Sequence, residues 1–374
     1  MIDQFLIIND AGLPLFDWRP SEKGSDSNLV SGFLSALNMF ASGERGEQIK
    51  KITMDPTSFI FEREGNLVFV ILTQDPQFEA VINLILTNLK EAFLTEFGEH
   101  AAKFAGNVTV FLPFEAILVE ILKEFGYFDY IQAMVSFSRD ESLRGTIFVD
   151  KISGKVLYLK WKEYIDREKI SFQSVLLLRT FERMIVGTFN ESPLFLNIIS
   201  ESMRSIILKS TMKVALIAEI HHKEAYGFPT IEITEKKVQN FLKKLSARAN
   251  FELEESFFLF DENGKILAKN DKENRLKADK STIDCITLVK SASDVIIYVF
   301  KEKLFTLLLG TPDNLYFLCP IGNLYSLLLV PADNVPEMKS IYTKLQNLIA
   351  LNENEMKQFG KALLKVQKFK THFA

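Results

Sequence analysis

The stretch FFLFDENGKILAKN, from Phe257 to Asn270, has the pattern of a β-hairpin: an apolar run, a polar turn and a second short run. Its Asn263-Gly264 pair is suited to the positive φ angles of a type I′ turn. Similar stretches stand at Phe5–Phe16, FLIINDAGLPLF, and at Thr146–Trp161, TIFVDKISGKVLYLKW. A hairpin pattern that recurs at such wide spacing indicates repeated folding units.

Each hairpin begins a block with the same predicted order of elements. A helix with an apolar stripe follows the hairpin, then three short apolar strands separated by turn residues, then a second helix. An Asp stands shortly before each turn glycine, and we interpret it as turn chemistry rather than as a ligand. We therefore predict an α+β fold of three consecutive domains, at residues 1–128, 140–250 and 255–374. Each is expected to be a separate five-stranded antiparallel sheet with the order β-β-α-β-β-β-α.

Several finer expectations accompany this division. The first block carries extra helical sequence at 114–126. Ser281 is a plausible N-cap of the first helix of the third block. The second helices of the second and third blocks are predicted at 235–249 and 335–351. Free sheet edges invite pairing, and we expect such pairing to use the third or the outer strand of each sheet.

Composition excludes some classes of function. The 374 residues are 47% hydrophobic and 25% charged, which is typical of a globular protein. The net charge is −4 with Lys and Glu mixed throughout, so we do not expect a nucleic-acid binder. Two cysteines fit a reducing compartment, and we expect a cytoplasmic protein. The N-terminus lacks a signal-peptide pattern and the apolar runs are too short to span a bilayer, which leaves peripheral membrane contact as an alternative.

Motifs for chemistry are few. There is no GxxxxGK[ST] sequence, and SGERGEQIK at 42–50 lacks the required order of residues. His221 and His222 are adjacent on a predicted strand end, so their side chains point to opposite faces and do not suit one metal ion. Cys285 and Cys319 lie in apolar patterns that favour buried packing. We therefore predict no catalytic residue, no cofactor and no metal.

One helix face is unusual. Five small uncharged polar residues line one side of the first helix, whereas we expect Leu29, Phe33, Leu37 and Phe40 to face the sheet. A surface without charges is cheaper to desolvate. We therefore predict that a partner protein or another copy covers the face made by Asn28, Ser31, Ser35, Asn38 and Ser42.

The order of elements in the three hairpin-led blocks resembles the longin/roadblock superfamily, and the first block, with its extra helix, is most similar to a longin domain. A chain with three such domains resembles the triple-longin subunits of exchange-factor complexes that act on small Rab-type GTPases. The resemblance covers nearly the whole chain, but it is topological and no motif is specific. It implies a non-catalytic trafficking scaffold whose domains pair through sheet edges and first helices, with themselves or a related chain, and bind a small GTPase.

Other functions remain open at the level of sequence. The chain could recruit a GTPase without changing its nucleotide state. It could instead be a sensor that binds a small molecule between helix and sheet. An enzyme is the least favoured reading, because no residue pattern supplies a nucleophile with its base. Guanine-nucleotide exchange itself needs no covalent chemistry, only tighter binding to the nucleotide-free state.

Overall fold

The chain folds into two compact units in a computed structural model that describes residues 1–21, 26–45, 49–128, 143–200, 202, 204–221, 256–270, 278–321 and 324–331. The first unit spans Met1–Arg139 and the second spans Asp140–Ala374. The fold is α+β with antiparallel sheets. The predicted second helices at 235–249 and 335–351 lie outside the described residues.

The first unit has a five-stranded sheet in the order β2-β1-β5-β4-β3. Helix α1 packs on one face, where Val30 and Leu34 join the core with Leu6 and Ile8. The other face meets α2, α3 and many phenylalanines, and the predicted extra helix is confirmed as α3. The elements are β1 Gln4–Asn9, β2 Pro14–Trp18, α1 Ser27–Arg45, β3 Lys51–Thr53, β4 Ser58–Glu64, β5 Leu67–Thr73, α2 Glu79–Ala102 and α3 Phe114–Glu124, with 3₁₀ turns at Pro76–Phe78 and Val108–Phe111.

The second unit has a ten-stranded sheet in which the block order β-β-α-β-β-β occurs twice. We name these the second and third repeats, and the first unit holds the first repeat. The second repeat consists of β6 Leu143–Asp150, β7 Val156–Trp161, α4 Arg167–Met184, β8 Phe195–Ser200, β9 Arg204–Ser210 and β10 Val214–His221. The third consists of β11 Ser256–Asp261, β12 Ile266–Asn270, α5 Ala278–Val295, β13 Leu304–Gly310, β14 Asn314–Ile321 and β15 Leu324–Pro331.

The expectation of three separate five-stranded sheets is wrong for the second and third repeats. Strand β8 pairs antiparallel with β13, so the two five-stranded halves form one sheet in the order β12-β11-β15-β14-β13-β8-β9-β10-β6-β7. Helices α4 and α5 pack against each other, and one continuous hydrophobic core includes residues of both repeats. The physical reason is the exposed edge: β8 and β13 are the outer strands of their halves, and pairing satisfies their backbone groups. The predicted use of outer strands is confirmed at this junction.

An Asn or Asp side chain accepts backbone N–H bonds in each of the three hairpin turns. In the second and third repeats the side chains of Asp150 and Asp261 accept backbone N–H bonds within the turn, at 2.9 Å from Ile152 and from Asn263. In the first repeat the residue in that place is Asn9, which accepts from the Leu13 N–H at 2.8 Å. The interpretation as turn chemistry fits these bonds, but Asp10 is not the equivalent residue.

The type I′ turn predicted at Asn263-Gly264 is wrong. Only Gly264 has a positive φ, at 82°. The register of the β11–β12 pair shifts between Leu259 and Phe260, which marks a β-bulge. A single left-handed glycine beside a bulge is the pattern of a three-residue hairpin loop. Gly12 has a similar φ of 79° in a loop of the same length, so this loop recurs in the first repeat. Gly154 also has a positive φ, at 75°, but the loop of the second repeat is one residue longer, because the Gly154 N–H bonds the Asp150 carbonyl four residues earlier.

A hydroxyl side chain stands at the fifth residue of α1, α4 and α5, next to the hairpin turn. Ser31, Ser171 and Thr282 are all buried. The Thr282 hydroxyl donates to the Gly264 carbonyl at 2.8 Å, and the Ser171 hydroxyl approaches the Gly154 carbonyl at 3.4 Å. This shared position marks the inward side of each helix. Ser281, predicted as an N-cap, lies inside α5 because that helix begins at Ala278.

Helices α4 and α5 end in the same way. Each runs into a π-helical turn, Ile185–Phe189 and Ile296–Phe300, and then into a left-handed residue, Asn190 or Lys301. The next residue is a glutamate in both cases, Glu191 and Glu302. The shared ending gives the second and third repeats an equivalent numbering, and it points both glutamates toward the junction between them.

Candidate interaction surfaces

The face of α1 that was predicted to bind a partner is partly occupied by its own unit. Ser31 is fully buried, and its hydroxyl donates to the Asn28 carbonyl at 3.1 Å. Ser35 lies against the β1–β2 turn so closely that a Cβ on Gly12 would stand 2.9 Å from its Oγ. Asn28 is exposed. Asn38 and Ser42 belong to the helix, but their side chains lie outside the described residues. Ser31 is therefore not available to a partner.

The apolar side of α1 was assigned to the wrong surface. Leu29 is 76% exposed and Phe33 is 43% exposed, whereas the residues that face the sheet are Val30 and Leu34. The helix is rotated by about one residue, roughly 100°, from the expected orientation. The sequence carried a usable signal, because aligning Ser31 with Ser171 and Thr282 would have placed Ser31 inward and Leu29 outward.

The exposed residues of α1 occupy positions that are used for pairing in the other two helices. Leu29 is the third residue of α1, and Lys169 and Lys280 are third in α4 and α5. Phe33 is the seventh residue, equivalent to Gln173 and Asp284. In the second unit the Lys169 Nζ lies 5.1 Å from the Tyr298 ring centre, and the Thr188 hydroxyl donates to Asp284 at 3.1 Å. Lys169 and Asp284, at two of these helix positions, thus contact the opposite repeat, and in α1 the same two positions carry exposed apolar side chains.

Two glutamates tie the second and third repeats together in a reciprocal arrangement. Glu191, after α4, reaches the third repeat and accepts from the Asn314 side chain at 2.7 Å, from the Tyr316 hydroxyl at 2.6 Å and from the Thr311 hydroxyl. Glu302, after α5, reaches the second repeat and binds the start of β9. The two repeats are therefore related by an approximate two-fold axis within one chain.

Arg204 is the centre of the Glu302 contact. Its Nε lies 3.0 Å from Glu302, its Nη1 binds Glu219, and its Nη2 is 3.6 Å from Glu163. The guanidinium also lies 4.6 Å from the Phe300 ring centre, a cation–π distance. One cation is thus shared by carboxylates from both repeats, in a site where Glu219 is wholly buried.

The two main carboxylates of this cluster respond differently to their surroundings. Burial raises the pKa of the Glu219 carboxyl, and the Arg204 charge offsets this only in part. Burial acts the same way on Glu302, but hydrogen bonds from Ser200, Ser202 and Arg204 outweigh it, so the pKa of Glu302 is lowered. The difference follows from hydrogen bonding, because Glu219 Oε2 has no hydrogen-bond partner and Glu302 is bound by several donors.

A cleft of about 550 Å³ opens in the first unit between α1 and the edge of the sheet. It lies where β4 extends beyond the short strand β3, which pairs only with Ser58–Ile60. The cleft has an apolar part that includes Leu34, Ile52 and Phe61. Its charged lining residues are of both signs, with Lys50 and Arg63 beside Asp10, Glu62 and Glu79.

The other residues singled out from the sequence have ordinary environments. Cys285 is buried, and burial, aided by the Asp284 charge, raises the pKa of its thiol to about 12. The Cys319 sulfur lies 2.9 Å from the Thr306 hydroxyl, and burial raises the pKa of its thiol as well. His221 ends β10, while His222 and residues 46–48 of the segment 42–50 lie outside the described part of the chain.

The described residues contain neither a cluster of metal ligands nor a membrane-spanning helix. No group of three or more His, Cys, Asp or Glu side chains in the described ranges is placed to hold a metal ion. None of the helices in that part of the chain is both long and apolar enough to cross a membrane.

No protein-family model matches the chain, and no curated protein matches it.

Replacing Arg204 with methionine is expected to destabilise the second unit by about 3–5 kcal/mol, because it leaves Glu219 as a buried carboxylate without its cation. The measurement is urea unfolding of the full chain, monitored by a spectroscopic signal that arises from the second unit. Lys290→Met is the control, since Lys290 is exposed on α5 of the same unit and exposed charges contribute about 0–1 kcal/mol. Equal effects of the two substitutions would contradict the assigned role of Arg204.

The Glu302→Gln variant is expected to be less stable than the wild type at pH 7, with a difference that shrinks in acid. The folded-state pKa of Glu302 is lowered from the ordinary 4.5, so its stabilisation is complete above that value and is lost as pH falls through the folded-state pKa. Unfolding at pH 7 and at about pH 3 measures the change. Glu99→Gln, at an exposed position, serves as control, and a pH-independent difference for Glu302→Gln would refute the assignment.

Proposed function

We propose that the protein is a non-catalytic scaffold of tandem longin-type domains whose first unit pairs with a related domain, and that this pair binds a small GTPase and promotes release of its guanine nucleotide. The related domain belongs to a second copy or to a similar chain. The repeated β-β-α-β-β-β order supports the longin-type assignment, as does the same strand order in all three five-stranded sets.

The observation that carries this proposal is the apolar surface of α1. Leu29 and Phe33 are exposed at helix positions where, in the second unit, Lys169 and Asp284 contact the neighbouring repeat. Burying an exposed leucine or phenylalanine side chain contributes about 1.5–3 kcal/mol, which favours a covered state. The second and third repeats supply a geometric precedent, because they join a helix pair and an edge-strand pair at the same time.

The GTPase part of the proposal rests on the resemblance to triple-longin exchange subunits. Nucleotide exchange requires a surface that binds the nucleotide-free GTPase more tightly than the loaded form, and it requires no reacting side chain. A rigid paired platform suits that task, since a preformed surface spends little free energy on ordering itself when it binds. The alternative within the same proposal is a scaffold that recruits a GTPase without promoting nucleotide exchange.

A second candidate function is supported by the cleft of the first unit. A volume of about 550 Å³ lies within the range of small-molecule sites, and its apolar part with a charged rim suits an amphiphilic ligand. The first unit would then act as a ligand sensor.

The double variant Leu29→Asp/Phe33→Asp is expected to abolish pairing of the first unit, because two carboxylates would have to be desolvated at the contact. Light scattering of the full chain, alone and with related chains of the same source, measures the pairing. Nucleotide release from small GTPases encoded in the same genome, with and without the protein, measures exchange, and the variant is expected to lose the acceleration.

The control for this experiment is Leu112→Asp, which changes a similarly exposed leucine elsewhere in the first unit. It should pair and act as the wild type does. A wild-type chain that stays monomeric with every candidate partner, or a double variant that pairs normally, would overturn the pairing. Normal pairing without any change in nucleotide release would leave the recruiting scaffold as the function and remove exchange.

The sensor candidate is expected to give a ligand-dependent rise in melting temperature with amphiphilic small molecules. A ligand at 100 times its Kd stabilises the folded state by about 2.7 kcal/mol, which a melting scan detects. The Ile52→Trp variant, which narrows the cleft, should lose the shift. Shifts that are the same in both proteins would place the binding elsewhere.

A further inference from the structure

The junction of β8 and β13 has an internal symmetry, so the observed pairing can be compared with the pairing of each strand with a copy of itself. Counting from Glu191 and Glu302, the residues Leu196 and Leu307 are equivalent, and so are Ile198 and Leu309. The register pairs Leu307 with Ile198 and Leu309 with Leu196, and the central pair joins the equivalent residues Asn197 and Leu308. The two strands therefore meet as a symmetric dimer would, with the approximate axis at the central pair.

The symmetry is broken at one contact. Phe195 lies opposite Gly310, and its ring occupies the space above the glycine, where an added Cβ would stand 2.2 Å from a ring carbon. On the other side of the axis the equivalent residues are Thr306 and Ile199, which also face each other. A large aromatic side chain thus meets a missing side chain on one side, and two branched side chains of moderate size meet on the other.

Self-pairing of either repeat would lose this fit. If the second repeat paired with another second repeat in the same register, Phe195 would meet Ile199 on both sides of the axis. Ile199 would then take the place of Gly310 opposite Phe195 on both sides of the axis, and overpacking of that kind is destabilising. If the third repeat paired with itself, Thr306 would meet Gly310 twice and leave two voids, which also costs stability.

We propose that the contact between Phe195 and Gly310 selects the partner of each strand edge, so that the second repeat pairs with the third repeat of the same chain and not with a second repeat of another copy. The inference is independent of the proposed GTPase function. It makes the second unit a dimer within one chain, in which the β8 and β13 edges are already paired with each other. Association with other chains is then left to other surfaces, such as the outer strands β7 and β12 or the apolar side of α1.

The first test fills the space above Gly310. Gly310→Val in the full chain should open the junction, and hydrogen exchange of the β8 and β13 amides should accelerate roughly 10- to 100-fold, since overpacking of this kind shifts the opening equilibrium by that factor. Gly187→Val is the control, because a Cβ at Gly187 meets nothing within 4 Å. When Phe195 is already alanine, Gly310→Val should change exchange by less than about threefold.

The second test creates the open space beside Phe195 in the second repeat instead of the third. Gly310→Val alone should stay monomeric, because Phe195 still blocks self-pairing. Adding Ile199→Gly creates a cavity for Phe195 in the second repeat and should produce a dimer. Asn197→Cys reports the geometry, since position 197 of one copy would meet position 197 of the other at the axis, and the two introduced thiols would form a disulfide on mild oxidation.

The outcomes are decisive in both directions. Non-additive exchange together with a dimer that appears only with Ile199→Gly supports the proposal. Unchanged exchange in Gly310→Val, or equal effects with and without Phe195, would refute the steric contact. If Gly310→Val alone already forms the dimer linked at position 197, the selective role of the contact is refuted. It is also refuted if the Gly310→Val/Ile199→Gly variant does not form this dimer.

Discussion

The contact between each first helix and its hairpin turn is the constraint on which the other features depend. A hydroxyl at the fifth helical position is buried in every repeat, and in the second and third it approaches the carbonyl of the turn glycine. A buried hydroxyl must have a hydrogen-bond partner, and Thr282 finds it in the turn, which limits the rotation of α5 about its axis. Ser31 and Ser171 donate to carbonyls of their own helices, so in α1 and α4 the burial of this small side chain, and not its hydrogen bond, marks the inward side. That rotation decides which residues face the sheet and which face outward.

In the first repeat Leu29 and Phe33 face outward at the third and seventh positions of α1. Helices α4 and α5 also expose apolar side chains, Phe172, Leu176 and Ile283, but at other positions. At the third and seventh positions they carry polar side chains, of which Lys169 and Asp284 contact the opposite repeat. The same framework therefore produces one helix pair within the chain and, in the first unit, a helix whose equivalent positions are apolar and accessible. This contrast is the basis for expecting a partner at the first unit.

The junction of the second unit combines several kinds of interaction at one place. Backbone pairing of β8 with β13 satisfies two edges, the glutamates after α4 and α5 each bind the opposite repeat, and Phe195 fills the space above Gly310. The backbone bonds are indifferent to sequence, since any two edge strands can form them. The charged and steric contacts are what distinguish this pairing from others, and the buried Arg204 cluster makes one of them sensitive to pH.

The sequence by itself determined the elements and their order. Alternating apolar residues, turn glycines and helical stripes located β1 to β15 and the helices α1 to α5, because these signals are local and arise from backbone periodicity. The tertiary structure alone decided that β8 pairs with β13, that Leu29 faces outward, and that Arg204 meets carboxylates from two repeats. Edge pairing and helix rotation depend on contacts between residues far apart in the chain, and Glu302 and Arg204 are nearly one hundred residues apart. No local pattern specifies such contacts, since the residues that make them become neighbours only when the sheets close.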